Sequence, residues 1–375
     1  MYDVCIITTI HAEFDNRIYE RQANALIDAG MRVCIVAPWN FARRSRSDFD
    51  FVQTKPAYSR GARVLHSYRT FLAALRVKAR VYIFHDPDFL PFGWLLRRLI
   101  RKPVIYDCHE NTPEDILYGK DWIPKLARRP LSFLVRTVED AVVRRLGLVI
   151  AVVPHQFRRF RRLGADVQLV RNFSSFVVPE DFHPDRAVLY TGDLTCDYGV
   201  YNLVCIAREM KRRELDVPLR IVDRFYQDEK MRRHIHKIVE DENLNIEFLE
   251  SVVAQEMPKI LSKGCIGLSP ISDSPNKQLA YPTKVFEYFM FGLAVVASDI
   301  AGTREILEHG RLGILVRPDD FVAWVDQIER LLNDKEYFEG YVRAGKNAIR
   351  ETYNWGQEEK RLVSYVRSAS RKEFG

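Results

Sequence analysis

The sequence predicts an α/β architecture built from two doubly wound parallel sheets in tandem. Three observations lead there. Continuous β-branched runs alternate with helical spacings along the chain, a polar Pro-containing stretch interrupts the alternation near its middle, and 375 residues exceed one ordinary core. A strand that is apolar throughout, rather than at every second position, is covered on both faces, as in a parallel sheet.

The elements follow in order. DVCIITTI (3–10) reads as a strand, ERQANALIDAG (20–30) as a helix with a Gly stop, and MRVCIVAP (31–38) as the strand completing a βαβ unit. The strand ARVYIFHD (79–86), the helix FLPFGWLLRRLI (89–100) and the strand KPVIYDCHE (102–110) repeat the pattern. A helical stretch over 128–146 leads to strands at 146–153 and 167–172. The polar stretch FSSFVVPEDFHPD (173–185) places a linker at about 174–186. A second series then runs through strands at 187–193, 218–223, 246–250, 264–270, 293–299 and 313–318, with helices at 199–213, 227–240 and 254–263 between the earlier ones. The expected domains are 1–180 and 181–350, with 351–375 as a last helix crossing back to the first domain. Ligands of such sheets bind at the carboxyl ends of the strands, so the cleft between the halves is the expected site.

Composition narrows the functional classes. Apolar residues at 47% and aromatic residues at 12% exclude a disordered polymer. AVVRRLGLVIAVV is broken by Arg144 and Arg145, and no run approaches the ~18 apolar residues of a membrane span. The opening MYDVCIITTI carries an acidic residue where a signal peptide carries basic ones, so a cytoplasmic location is expected. Cys5, Cys34, Cys108, Cys196, Cys205 and Cys265 stand singly, which points to reduced, buried thiols rather than zinc or redox chemistry.

Charge is divided unevenly. Residues 1–180 hold 29 Lys+Arg against 18 Asp+Glu, and the remainder holds 28 against 32. Basic clusters at 43–46, 97–102, 125–130 and 157–162 all fall in the first half. KLARRP (125–130) and FRRFRR (157–162), with Trp122 nearby, suit a peripheral contact with anionic membrane; a solvated basic face is the other reading. No nucleic-acid module accompanies the charge, and no nucleic-acid partner is expected.

Neither Gly-x-Gly-x-x-Gly nor a Walker-type Gly-Lys-Ser/Thr occurs, which argues against dinucleotide dehydrogenases and P-loop NTPases. The stretch YPTKVFEYFMFG (281–292) is the most informative. Pro282 and Thr283 suit a helix start, whose free amides favour an anion, and Lys284 adds a full charge there. Glu287, three residues on, is placed to accept hydrogen bonds from vicinal hydroxyls. A diphosphate with its ribose satisfies both residues; an exposed i,i+3 ion pair is the alternative.

Taken together, P-T-K-V-F-E-Y-F-M-F-G, A-V-V-A-S-D, G-T-R-E-I, G-x-x-G-I-L-V and Y-N-W (353–355) resemble the carboxyl half of glycosyltransferase family 4. H-A-E-F-D-N-R-I-Y-E-R-Q-A (11–23), H-D-P-D (85–88) and Y-D-C-H-E (106–110) resemble the amino-terminal signatures of its bacterial surface-polysaccharide branch. The ordered set covers nearly the whole chain. The resemblance implies a GT-B fold, two Rossmann-like domains facing a cleft, with acceptor on the first and nucleotide-sugar on the second. It implies transfer of a hexose, with retention, to a surface-polysaccharide or lipid-linked glycan. No metal or cofactor is implied, the nucleotide-sugar being a substrate.

Residue by residue, the resemblance puts Gly192, Lys284, Glu287 and Glu305 at the donor. Lys284 would face phosphate and Glu287 the ribose, while the family's first paired Glu is replaced by Leu279. His109 matches a His beside the transferred sugar, where it would orient and stabilise, the leaving phosphate taking the acceptor proton. His11, Asp15, Asn16, Arg17 and Glu110 fall on the acceptor side. Helix capping by Asp15, a helix N-terminal charge at Glu305 and a structural role for His109 are the competing explanations.

One loop departs from the pattern. TGDLTCDYG (191–199) carries Asp193 and Tyr198 where relatives place a small residue or Arg and a cation, and the next strands end in Asp223 and Glu250. A carboxylate ~4 Å from a phosphate repels it by roughly 1–4 kcal/mol. Arg224 is the cation placed to compensate. Uncompensated, the three carboxylates would favour the alternative reading, a non-catalytic glycosyltransferase-like binding or scaffold protein.

Overall fold

The computed structural model describes the chain apart from residues 12–14, 39–48, 56–61, 120–121, 175, 177, 179–181, 226–227, 253–255, 276 and 373–375, and the basic cluster at 43–46 lies outside the described residues. Two units result: Met1–Asn172 with Trp355–Gly375, and Phe173–Asn354.

Among the described residues, the apolar runs of unit one form seven parallel strands: β1 (Tyr2–Ile7), β2 (Val33–Ala37), β3 (Asp50–Gln53), β4 (Ala79–Phe84), β5 (Val104–Cys108), β6 (Leu148–Ala151) and β7 (Asp166–Leu169). They lie in the order β3-β2-β1-β4-β5-β6-β7. Period-two alternation sends Cys5 and Ile7 into one core and Val4 and Ile6 into the other, so every position of β1's second half must be apolar. Asp15 caps a π-helical stretch, Asn16–Ala23, by accepting from the Arg17 and Ile18 amides; it continues as α1 (Asn24–Asp28). Then come α2 (Ala62–Arg76), α3 (Leu90–Ile100), the single-turn α4 (Thr112–Glu114), α5 (Lys125–Leu146) and α6 (Pro154–Arg162). Helices α2, α3, α5 and α6 cover the Cys5 face, and α1 covers the other.

Unit two contains β8 (Val188–Tyr190), β9 (Leu219–Val222), β10 (Ile246–Leu249), β11 (Ile266–Ser269), β12 (Ala294–Ser298) and β13 (Ile314–Val316), parallel and in the order β10-β9-β8-β11-β12-β13. Its helices are α7 (Val200–Arg212), α8 (Glu229–Asp241), α9 (Met257–Leu261), α10 (Lys284–Phe291), α11 (Ala301–Ile306), α12 (Phe321–Asn333) and α13 (Lys335–Glu351). The core beneath α7 and α12 is centred on Trp324, and that beneath α10 on Phe286, Tyr288 and Phe289.

The last helix, α14 (Trp355–Ser370), belongs to unit one and covers the same face as α1. Tyr365 donates to the Asp166 carbonyl (2.6 Å) and accepts from the Val149 amide (3.1 Å). Glu358 is wholly buried, accepting from the Arg171 amide (3.0 Å), Arg171 Nη2 (2.7 Å) and Arg361 Nη1 (2.6 Å).

Each sheet has one place where strand order reverses, β1/β4 in unit one and β8/β11 in unit two. Crossovers on its two sides leave by opposite faces, so the following loops diverge and open a crevice at the carboxyl edge.

Replacing Glu358 by Ala removes the buried carboxylate that accepts from both Arg171 and Arg361. We expect a loss of about 3–5 kcal/mol in denaturant unfolding; an unchanged midpoint would show that α14 is held by its apolar face alone.

Candidate functional site

The β8/β11 crevice is assembled by one tyrosine. Gly267 in β11 has no side chain, and a Cβ there would meet the Tyr288 ring at 2.4 Å. The ring therefore lies against the strand, and the Thr191 amide at the end of β8 donates to its Oη (2.9 Å). Lys284, Glu287 and Tyr288 share one face of α10 at i, i+3 and i+4. Locking Tyr288 to Thr191 thus carries Lys284 to the next residue, Gly192, whose φ is +126° and whose Cβ would sit 2.7 Å from Lys284 Nζ.

Lys284 Nζ stands 3.8 Å from the Tyr190 ring centroid and 5.9 Å from that of Tyr198. Burial draws its ammonium down to about 7, against the pull of the Asp193 and Glu287 carboxylates. Glu287 accepts from Ser174 Oγ (2.7 Å), which orients its carboxylate. A second cation, Lys277, lies with Nζ 4.1 Å from the Tyr198 ring centroid. Among the described residues neither ammonium is in an ion pair. Both rest on aromatic faces, contacts of about 0.5–2 kcal/mol that leave the charge available to an anion.

The acidic loop is not what its sequence suggests. Arg224 Nε lies 3.0 Å from Asp193 Oδ1, and Asp223 is engaged by Arg232 (2.7 Å) and His236 (3.4 Å) from α8. Glu250 follows β10, the edge strand, two strands from β8. Two of the three carboxylates are thus neutralised by arginines, and the third lies two strands away from β8. Lys277 brings a cation to the Tyr198 ring, from a loop whose return to β8 no spacing rule indicates. Glu305 is exposed on α11.

In unit one the β1/β4 crevice gathers three histidines. His11 follows β1, His85 follows β4 and His109 follows β5, with ring centroids 4.8 Å (His11–His109), 5.6 Å (His85–His109) and 6.4 Å (His11–His85) apart. His11 Nε2 and His109 Nε2 lie 3.0 Å apart, a bond that requires a proton on one nitrogen and none on the other. His11 Nδ1 reaches Asp15 (3.2 Å), and its Nε2 lies 3.5 Å from the buried Asp86. Burial opposes its charge, yet the Asp15 hydrogen bond and the Asp86, Asp15 and Glu110 carboxylates raise His11 above the ordinary histidine value. His85 is wholly enclosed, and burial pushes it down to about 3.

Asp107 forms the floor. Arg17 grips both its oxygens at 2.9 Å, Gln22 donates to one, and His109 Nδ1 lies 3.7 Å away. Burial works to raise this carboxyl, but the Arg17 charge and the neighbouring histidines hold it well below the usual range. Arg17, expected toward the acceptor, is buried and committed to Asp107 and the Val170 carbonyl. Asp15 both caps the helix and holds His11; Glu110 is half-buried beside His109. The side chain of Asn16 lies outside the described residues. Donor atoms of His11, His109 and Glu110, and of His85, Asp107 and His109, lie within 4.8 Å of one another, as metal ligands can. Arg17 already occupies Asp107, and the hydrogen bond accounts for the histidine contact.

Sequence models for a glycosyl transferase 4-like domain and for glycosyl transferases group 1 match residues 16–172 and 185–334. The chain belongs to the family 4 glycosyltransferases. A 64-residue segment is 41% identical to a phosphatidyl-myo-inositol mannosyltransferase of Mycobacterium leprae, covering 17% of each protein. An 89-residue segment is 32% identical to an exopolysaccharide phosphotransferase of Streptomyces coelicolor, covering 24% of this chain and 9% of that one. The chain thus matches less than a fifth of either relative's length. The sucrose-phosphate synthase of Thermosynechococcus elongatus has the same fold, with TM-score 0.74 and 17% identity over 98% of both chains. Anabaena HepE in complex with UDP-glucose gives 0.71 and 14%, over 98% of this chain and 100% of that one. At such identities these structures establish the two-domain, Rossmann-like GT-B fold.

For this family 4 glycosyltransferase the Lys284 and Tyr288 geometry leads to two measurable outcomes. If a diphosphate seats against Lys284 it restores the ammonium, so its binding should take up protons and weaken as pH rises from about 7 to 9, by up to about tenfold per pH unit. Calorimetry in buffers of different ionisation enthalpy detects the uptake, and Lys284→Met abolishes it. Replacing Tyr288 by Phe strands the Thr191 amide, and we expect a stability loss of about 1–3 kcal/mol in thermal melts, with weaker nucleotide binding.

Proposed function

We propose that this chain transfers a hexose from a nucleotide-sugar to a surface-polysaccharide or lipid-linked glycan, with retention at the anomeric carbon and without a metal. The observation that carries this reading is the α10 face, where Tyr288 holds a lysine and a carboxylate beside the glycine turn of the β8/β11 crevice. In this reading Lys284 and Lys277 meet the diphosphate and Glu287, oriented by Ser174, the ribose. His109 orients the reacting groups, with His11 fixing its ring, while the leaving phosphate takes the acceptor proton. A cytoplasmic enzyme at the inner face of a membrane would meet such an acceptor. No helix among the described residues is long and apolar enough to cross one.

The non-catalytic alternative drew its support from uncompensated carboxylates, and Arg224 and Arg232 remove that support. Uridine nucleotides are the first donors to test, since HepE was solved with UDP-glucose. Calorimetric titration with UDP, GDP and ADP should give saturable binding of at least one, weakened roughly tenfold or more by Glu287→Ala, the loss of a hydrogen-bonded carboxylate. A folded protein that binds none of the three would overturn the reading.

A further inference from the structure

Unit one carries an apolar face that its own fold leaves uncovered. Fifteen large apolar side chains among the described residues are exposed, and eleven of them lie on α2, on α3, or between Tyr118 and Val138 at the start of α5. Leu126 is 95% exposed, Phe133 73% and Val64 70%, and Leu65, Trp122 and Leu134 are also at least half exposed. The helices form one layer, with α3 packed against both α2 and α5. On α5, Leu126, Pro130, Phe133 and Thr137 follow one another at helical spacing along the outward stripe.

The three helices are predominantly basic, although Asp88 and Glu114 from adjoining segments lie 3.7 Å from Arg63 and 4.0 Å from Arg136. Helices α2, α3 and α5 hold three, two and six Lys or Arg, and their only acidic residues are Glu139 and Asp140. Both are paired with Arg159 of α6, away from the exposed stripe. That pairing also settles FRRFRR, which does not supply the apolar contact expected of it. Phe160 is wholly buried, and Arg159 serves the α5–α6 junction. KLARRP, by contrast, opens the exposed stripe.

We propose that the α2–α3–α5 face docks onto an anionic lipid bilayer. The core of a protein–protein interface is depleted of charge. Here guanidinium groups flank the apolar residues within a turn, as in an interfacial helix whose cations meet lipid phosphate while its apolar side chains enter the acyl boundary. Trp122 and Tyr118 add the amphipathic rings favoured at that depth. The inference names the surface that would bring the enzyme to a lipid-linked acceptor, and rests on the proposed function only for that purpose.

The test is flotation of the full chain with vesicles of phosphatidylcholine alone or with about 30% phosphatidylglycerol, at low and high salt. Wild type should float with the anionic vesicles and release as salt rises. Leu126→Glu/Phe133→Glu changes two exposed side chains, so its melting temperature should be unchanged while partitioning falls at least about tenfold. No flotation of wild type, equal flotation of the double variant, or a self-associated wild type that this variant makes monomeric without vesicle binding, would each overturn the proposal. UDP titration of the same samples separates the two readings. Vesicle binding without nucleotide binding would sink the transferase function alone, and the reverse result the docking face alone.

Discussion

The β8/β11 crevice of unit two depends on the contact between the Tyr288 ring and the bare backbone of Gly267. A methyl group on Gly267 would push a wholly buried aromatic ring off the strand, and with it the helix that bears Lys284 and Glu287. The Thr191 amide then loses its acceptor at the end of β8. A neutral hydrogen bond contributes only about 1 kcal/mol net. Its importance here is geometric, because it joins the strand that carries the glycine turn to the helix that carries the charges. The lowered pKa of Lys284 follows from the same contact, since a helix set so close to β8 partly desolvates its first side chain. A half-buried ammonium resting on Tyr190 is under-solvated, and an anion beside it would relieve it.

Unit one solves the opposite problem, a buried anion. Asp107 is completely enclosed, and a lone carboxylate there would cost several kcal/mol or take up a proton. Arg17 supplies the neutralising charge in bidentate form, and Gln22 and the histidines fill the remaining acceptor positions. His109 and His11 sit above this floor, coupled through their Nε2 atoms. A residue that looks poised for a ligand in sequence can thus be the counter-charge for another residue that does not.

Much of the architecture was legible because buried parallel strands must be apolar at every position, a constraint visible without coordinates in DVCIITTI or LAVVASD. It failed where that constraint is absent: β3 is an edge strand, half-exposed, and its DFVQ carries no continuous run. The predicted strands also ran too far. HD of ARVYIFHD and HE of KPVIYDCHE leave the sheet at Phe84 and Cys108, and the residues past the sheet edge are those of the site. Polar residues ending an apolar run were therefore the available signal for His85, His109 and Glu110.

The sequence by itself determined the two parallel sheets, their crevices and the Lys284–Glu287 spacing, because each is a local pattern or a consequence of strand order. Only the tertiary structure decided which charges remain for a ligand. Asp193, Asp223 and Arg17 find partners on other elements, Lys277 arrives at Tyr198 from a distant loop, and Phe160 turns inward while Phe133 does not. Charge compensation and burial are set by what lies across a few ångströms of space, and a linear pattern records only what lies along the chain.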